Sequence, residues 1–210
     1  MDKTLYNKEH NLEFWHITKN AMTSIIHQLN FDWVDINAIP KDRKIFCVMR
    51  NPIDRMLSSF IMCKKLYSNT SNIFSMRDVS DEKIKLMFFN ESISNGYINY
   101  INEIYDNGYF DSHNISQTYY IDDYIEGSYK NYVRKKENIT NYILMDNIEE
   151  GLSNIFNKNI NLNISNSSNI PPNIKQNLKQ ISKEYKEKIN SYYKLDTILY
   201  EDVYNSQGRR

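Results

Sequence analysis

The sequence predicts an α/β fold in which helices flank a mostly parallel central sheet. Residues 13–17, 45–49 and 141–145 are short apolar segments of the kind that forms buried strands. Each is followed by a stretch whose apolar side chains recur at helical spacing. Strands that alternate with helices favour one sheet covered on both faces. We therefore expect three layers, with ligands bound beyond the carboxyl ends of the strands.

The first two strand-to-helix pairs are the clearest. Residues 13–17 lead through the polar segment 18–21 into a predicted helix over residues 22–29. Residues 45–49 form a continuous apolar run, which indicates a strand buried on both faces. The helix after it opens at Asn51-Pro52, because asparagine is a favoured N-cap and proline suits the first helical turn.

The remaining elements are less regular. A third pair joins residues 141–145 to a helix that begins near Ile148. The other predictions are a loop over 69–80, one or two helices over 81–105 with an interruption near 94–96, a helical stretch from Pro171 to Lys188 and a final helix over 189–204.

Length, charge and composition limit the classes of protein to which the chain can belong. We predict a single domain over residues 1–210, with a mobile segment at 1–11 and a tail at 205–210. Lys plus Arg and Asp plus Glu both number 26, so the net charge favours neither nucleic acid nor an anionic membrane as a partner. Cys47 and Cys63 are expected to be buried thiols in a reducing compartment. Because no apolar stretch approaches about 18 residues, we expect a cytoplasmic protein without a signal peptide or membrane segment.

Residues 16–25, with the sequence His-Ile-Thr-Lys-Asn-Ala-Met-Thr-Ser-Ile, carry the first candidate anion site. The predicted strand delivers Lys19 and small or hydroxylic residues to the start of a helix. Backbone N–H groups at a helix N-terminus are unpaired and lie at the positive end of the helix dipole, so they bind phosphate well. The alternative is a solvated lysine beside an ordinary helix start. The G-x-x-x-x-G-K-[ST] pattern of Walker-type nucleoside triphosphatases does not occur in the chain.

Residues 46–60 carry the second candidate anion site. Arg50 stands at the end of a predicted strand, and Ser58 follows on the next predicted helix. A guanidinium suits bidentate phosphate binding, and a helical serine hydroxyl can complete the shell from the side. The spacing therefore predicts that Arg50 and Ser58 converge on one oxyanion. The alternative is a helix-capping Asn-Pro pair beside a solvated arginine.

Both segments resemble motifs of one family. From Arg50 to Ser58 the chain reads R-N-P-x-x-R-x-x-S, which resembles an element of the carbohydrate sulfotransferases. Residues 16–25 resemble the H-I-P-K-T-G-G-T-S loop of the same family, and the two motifs occur in the family's order. The resemblance implies a P-loop-like domain that uses 3'-phosphoadenylyl sulfate as its sulfuryl donor.

The resemblance also implies two groups of donor-binding residues. Arg50 and Ser58 would hold the 3'-phosphate. The 5'-phosphosulfate end would be held by Lys19, Ala21, Met22, Thr23 and Ser24. The chain departs from the family at Thr18, where proline is usual, and at Ala21 and Met22, which replace a pair of glycines. Side chains therefore stand where backbone often approaches the phosphosulfate.

Three further segments extend the resemblance from about residue 12 to 204. Residues 111–117 are similar to a D-x-H-x-x-x-Q stretch, without its customary aromatic residue and proline. Residues 142–150 resemble a strand followed by E-N-L-x-x-D, with Asp146 in the glutamate position. Residues 193–200 resemble the closing Y-x-x-D-x-x-x-Y helix of the family.

The implied reaction is sulfuryl transfer to a hydroxyl group of an acceptor, most simply a carbohydrate, with no metal ion. Lys19 is the candidate that stabilises charge on the bridging oxygen of the leaving phosphate. His113 leads as general base, because histidine titrates in the useful range. Asp54, Asp111 and Glu91 are carboxylates that could serve instead.

Two other functions stay open at the level of sequence. A P-loop-like nucleotide kinase would share the strand-loop-helix site, but the missing Walker glycines argue against it. A degenerate member that binds a nucleotide or glycan without turnover is suggested by Ala21 and Met22. The 17 tyrosines could stack on sugar rings, although half-buried packing is the simpler interpretation.

Overall fold

The computed structural model describes residues 3–17, 19–69, 80–108, 113–118, 139–163 and 170–207. The chain divides into two compact units. The first comprises Met1–Arg50, Gln117–Ser165 and Ile198–Arg210, and the second comprises Asn51–Ser116 and Asn166–Thr197.

The first unit is built on a mixed sheet with the strand order β3-β1-β2-β4-β5. Its strands are β1 (Lys3–Asn7), β2 (Leu12–Trp15), β3 (Asp32–Asp35), β4 (Lys44–Met49) and β5 (Asn141–Leu144). The pairs β2–β4 and β4–β5 are parallel, whereas β1 runs antiparallel to both β2 and β3. The predicted α/β class is confirmed. A mostly parallel sheet is not, because the strands of the described ranges form two antiparallel and two parallel pairs.

Strands β1 and β3 are absent from the sequence prediction. Residues 3–7 belong to the segment that was expected to be mobile, and they pair on both sides as β1. Polar residues are retained inside this sheet because they satisfy one another. Thr4 Oγ1 donates to Glu13 Oε1 at 2.7 Å, and Arg43 Nε donates to Glu13 Oε2 at 2.6 Å.

The helices of the described residues lie close to the predicted segments, but the region predicted as two helices over 171–204 contains three. In chain order they are α1 (Met22–Gln28), α2 (Pro52–Asn69), α3 (Asp81–Phe88), α4 (Ile93–Asn107), α5 (Ile148–Phe156), α6 (Pro172–Glu184), α7 (Lys186–Tyr192) and α8 (Lys194–Gln207). The last helix therefore includes residues 205–207, which were expected to belong to a tail.

Strand β4 is buried on both faces, as its apolar run predicts. Phe46 and Val48 pack with α1 and α5, while Ile45, Cys47 and Met49 pack with residues of α8. Helical segments therefore cover both faces of the sheet in this unit. Burial raises the pKa of the Cys47 thiol above its ordinary range, so this thiol is unreactive near neutral pH.

The second unit is helical and has an aromatic core. Its buried cluster draws on α2, α3, α4, α6 and α7. The ring centroids of Phe60 and Tyr97 lie 4.9 Å apart, and those of Tyr67 and Phe88 lie 4.6 Å apart. Tyr97 and Tyr100 are fully buried, so packing accounts for these two tyrosines. Cys63 is also buried in this core as a free thiol, as predicted.

The break between α3 and α4 falls at residues 89–92 rather than near 94–96. Ser92 caps α4, because its hydroxyl accepts a hydrogen bond from the N–H of Asn95 at 3.3 Å. Gly96 lies inside the helix, where a Cβ atom would clash with the carbonyl oxygen of Met87. The glycine therefore allows α4 to approach α3 closely and does not mark a turn.

None of the helices in the described ranges has the length and apolar character that crossing a membrane requires.

Candidate functional site

The two candidate motifs leave the sheet at the same edge. β2 and β4 are parallel neighbours, with Trp15 opposite Cys47. β2 leads toward residues 19–21, which we call the Lys19 loop, and β4 ends one residue before Arg50. Because the carboxyl ends of parallel strands meet at one edge of a sheet, the Lys19 loop and Arg50 emerge side by side.

The Lys19 loop has a backbone conformation that usually calls for glycine. Lys19 has a φ of 71°, and Ala21, the N-cap of α1, has a φ of 59°. The left-handed region costs a residue with a Cβ atom about 1 kcal/mol or more. The N–H of Asn20 donates to the Ile17 carbonyl at 3.2 Å, which closes a tight turn before α1.

The side chain of Asn20 holds this loop in place. It is fully buried. Nδ2 donates to the Val48 carbonyl at 2.7 Å and to Gln117 Oε1 at 2.7 Å. Oδ1 is buried without a hydrogen-bond partner in the part of the chain that the structure describes. These bonds hold the strained loop against the end of β4.

Gln117 joins the same loop to Arg50. Its Nε2 donates to the Arg50 carbonyl at 2.8 Å, and the Arg50 N–H donates to its Oε1 at 2.9 Å. The amide thus pairs with both backbone groups of Arg50, as a neighbouring strand would. Since Oε1 also accepts from Asn20, one buried side chain fixes both candidate motifs.

The Arg50 side chain turns back over the Lys19 loop. Its Nη1 donates to the Lys19 carbonyl at 3.2 Å. Both residues are half-buried. The guanidinium of Arg50 thus lies against the backbone of the Lys19 loop.

The start of α1 adds backbone donors. Ala21 makes no capping side-chain hydrogen bond, and the first turn contains no acidic residue. The N–H groups of the first turn have no partner inside the helix. Met22 packs its side chain against the apolar cluster of this unit, whereas Thr23 is exposed. Ser24 Oγ lies 3.5 Å from the Asn163 carbonyl, a long and weak contact.

Two predicted residues belong to the second unit. Ser58 is half-buried on α2, and His113 is half-buried in the turn over residues 113–116. Lys19 and Arg50 belong to the first unit and are brought together there. The convergence of Ser58 with Arg50, and of His113 with Lys19, stays a prediction. The predicted cap of α2 is confirmed, since Asn51 Oδ1 accepts from the N–H of Ile53 at 2.9 Å.

The other candidate bases differ in their surroundings. Glu91 is exposed and Asp54 is half-buried, while Asp111 lies outside the described residues. Thr18, at the usual proline position of the first motif, also lies outside them. Each of the remaining acids stays a prediction in this role.

Two segments that carry the weaker resemblance meet in the first unit. Tyr200 Oη donates to Asp146 Oδ2 at 2.9 Å.

His16, on the way from β2 to the Lys19 loop, packs its ring edge against Trp33 with 5.1 Å between centroids. The ring of His16 thus has a packing role.

Sequence reasoning assigned no role to the residues that hold the site together. Gln117 lies within the D-x-H-x-x-x-Q match, and its type was a usable signal, because a long amide suits the bridging of two backbone segments. Asn20 gave no such signal in a chain rich in asparagine.

Arg55, inside the second motif, is fully buried and contacts Tyr193. It therefore packs within its own unit.

Comparison with protein-family models, with curated proteins and with solved structures found no match for this chain.

Proposed function

We propose that this chain is a sulfotransferase that binds 3'-phosphoadenylyl sulfate where the Lys19 loop meets Arg50. The observation that carries the proposal is the hydrogen-bonded set of Asn20, Gln117 and Arg50. It ties the loop after β2 to the end of β4 within one unit. A solvated lysine and a solvated arginine, the alternative interpretations of the two motifs, would need no such connection.

In this proposal the donor site is P-loop-like. The 5'-phosphosulfate lies against Lys19 and the first-turn N–H groups of α1, from Met22 to Ser24, and the 3'-phosphate is held by Arg50 and Ser58. Two features support it. The start of α1 has neither a capping side chain nor an acidic residue. Ala21 has the left-handed conformation that a glycine would supply, so the replacement of glycine has not removed the loop geometry.

The proposed reaction is an in-line displacement at sulfur. A hydroxyl oxygen of the acceptor, for which we propose a carbohydrate, forms the new S–O bond while the bond from sulfur to the bridging phosphate oxygen breaks. The ammonium of Lys19 stabilises the negative charge that develops on that oxygen, and adenosine 3',5'-bisphosphate leaves. The acceptor proton passes to a general base, for which His113 is our candidate. Positioning and electrostatics supply most of the rate enhancement.

A member of the same class that binds the donor without turnover is the second candidate. The observation in its favour is the strained Ala21, because a Cβ atom beside the phosphosulfate would misplace the reacting sulfur by a fraction of an ångström. Binding of adenosine 3',5'-bisphosphate without transfer to any acceptor would favour this candidate. Phosphoryl transfer that requires magnesium and a nucleoside triphosphate would instead favour a nucleotide kinase.

The role of Lys19 is tested with donor that carries a labelled sulfuryl group and a panel of sugars and glycans. We expect Lys19→Ala to lower turnover by about 1000-fold while the circular dichroism spectrum stays that of the wild type. Lys44→Ala is the matched control, because it removes the same charge from an exposed residue at the opposite end of β4. Turnover by Lys19→Ala close to that of Lys44→Ala would reject the catalytic role.

A further inference from the structure

Arg55 is buried in the second unit with few partners. Its exposed fraction is 0%. Nε and Nη2 make no hydrogen bond to any described residue. Nη1 lies 3.5 Å from Tyr193 Oη, and Cζ lies 5.7 Å from the centroid of the Tyr193 ring. A guanidinium removed from water without its full set of hydrogen bonds costs free energy, so a gain in stability does not explain Arg55.

Tyr193 connects Arg55 to the turn over residues 113–116. Tyr193 Oη donates to the Asn114 carbonyl at 2.9 Å, in a buried setting. Tyr192 Oη donates to the same carbonyl at 3.4 Å. A carbonyl only accepts, so the single hydrogen of the Tyr193 hydroxyl points to Asn114, and the hydroxyl oxygen faces Arg55 Nη1 in a long contact of 3.5 Å. Arg55 therefore contacts the hydroxyl that binds the turn.

The Tyr193 hydroxyl keeps its proton over the physiological range. Burial raises its pKa well above the ordinary value, and the nearby positive charge of Arg55 opposes that rise only in part. A neutral hydroxyl is the form that donates to the Asn114 carbonyl. The hydroxyl therefore keeps the hydrogen that it donates to the turn at neutral pH.

The turn is held through its second residue. Asn114 is fixed by Tyr193 within the second unit. His113 directly precedes the anchored Asn114 and is half-buried. A shift of the Asn114 carbonyl would therefore move the imidazole.

We propose that Arg55 and Tyr193 are positioning residues that fix the turn carrying His113. The role of His113 as general base rests on the proposed function, whereas the positioning of the turn does not. The burial of Arg55 costs free energy, and the benefit that we propose is a fixed position for His113. A general base must lie within hydrogen-bond reach of the acceptor hydroxyl.

Tyr193→Phe and Tyr97→Phe form a matched pair of variants. Both tyrosines are fully buried in the same cluster. Tyr97 Oη shares a hydrogen bond of 2.8 Å with Ser182 Oγ of α6. In Tyr193→Phe we expect the backbone amides of residues 113–116 to exchange hydrogen about tenfold faster, because one hydrogen bond is lost. In Tyr97→Phe we expect exchange in this turn to match the wild type.

The activity readout separates positioning from donor binding. We expect Tyr193→Phe to lower kcat for sulfuryl transfer about tenfold with the KM for the donor unchanged. Unchanged exchange in Tyr193→Phe, or an equal increase in Tyr97→Phe, would overturn the proposal. Because exchange needs no turnover, faster exchange in a protein that transfers no sulfuryl group would uphold the positioning and reject the proposed function.

Arg55→Met gives the second test, since methionine has a similar length and no charge. We expect the same faster exchange of residues 113–116 as in Tyr193→Phe, with a Tm at or above that of the wild type because an incompletely paired buried charge is removed. A lower Tm with unchanged exchange in the turn would assign Arg55 to stability and overturn its positioning role.

Discussion

Two glutamines of the first unit bind the backbone in the same way but in different surroundings. Gln117 pairs with the N–H and carbonyl of Arg50 and is fully buried. Gln28 pairs with the N–H and carbonyl of Asn163 at 2.9 Å each and is exposed. Hydrogen bonds inside a protein are stronger than those that compete with water, and the loss of one partner leaves the other unsatisfied. The buried pair therefore has the larger effect on stability.

We expect Gln117→Met to lower the free energy of unfolding by about 2–3 kcal/mol, because the backbone groups of Arg50 and the amide of Asn20 lose their shared partner. Gln28→Met, the matched control, should cost less than about 1 kcal/mol, since water replaces its bonds. Urea unfolding followed by circular dichroism measures both values. Equal losses in the two variants would contradict the role that we give to Gln117.

At the scale of elements, the first turn of α1 and the loop before it act together. The left-handed Ala21 directs the chain into α1, and Ile25 N–H donates to the Ala21 carbonyl at 3.1 Å. The geometry thus resembles that of a glycine-containing loop, while the chain carries a strain that glycine would relieve. That strain is a local property and can be tested separately from ligand binding.

We expect Ala21→Gly to raise the free energy of unfolding by about 0.5–1 kcal/mol, because the relief of strain exceeds the added entropy of the unfolded chain. Ala38→Gly makes the same chemical change in a short helical turn, where alanine has no positive φ, and should lower the free energy by about 0.5–1 kcal/mol. Thermal and urea unfolding of both variants give the comparison. A loss of stability in Ala21→Gly similar to that in Ala38→Gly would show that the loop is not strained.

The elements that could be predicted from sequence are those with one strong local signal. Strand β4 is apolar throughout and is buried on both faces, and α2 begins at its asparagine cap. Strands β1 and β3 carry polar residues, and in β1 the polar Thr4 is satisfied by Glu13 of the neighbouring strand β2. Their pairing depends on tertiary contacts, which leave no periodic pattern in either segment.

In the candidate site, too, the features with a local signal could be predicted and those that depend on distant contacts could not. Lys19 and Arg50 could be named from their places at the ends of strands, and the structure joins them. The connection made by Asn20 and Gln117 spans 97 positions of sequence and could not be predicted from local spacing. The break between α3 and α4 was misplaced for a related reason, since Gly96 serves close packing rather than a turn.

At the scale of the whole molecule, the proposed functions are divided between the two units. The Lys19 loop and Arg50 belong to the first unit, while Ser58 and His113 belong to the second. Most of the residues that we propose for donor binding therefore belong to the first unit, and the residue that we propose as general base belongs to the second. Sulfuryl transfer can fail while donor binding persists, so binding is the more direct test of the site.

Calorimetric titration with adenosine 3',5'-bisphosphate is that test. We expect the wild type and Lys44→Ala to bind equally, and Arg50→Ala to bind at least about tenfold more weakly, because it loses a charge-assisted contact to the 3'-phosphate. Absence of binding by the wild type, or binding by Arg50→Ala as tight as that of the wild type, would contradict a donor site at the junction of Arg50 and the Lys19 loop.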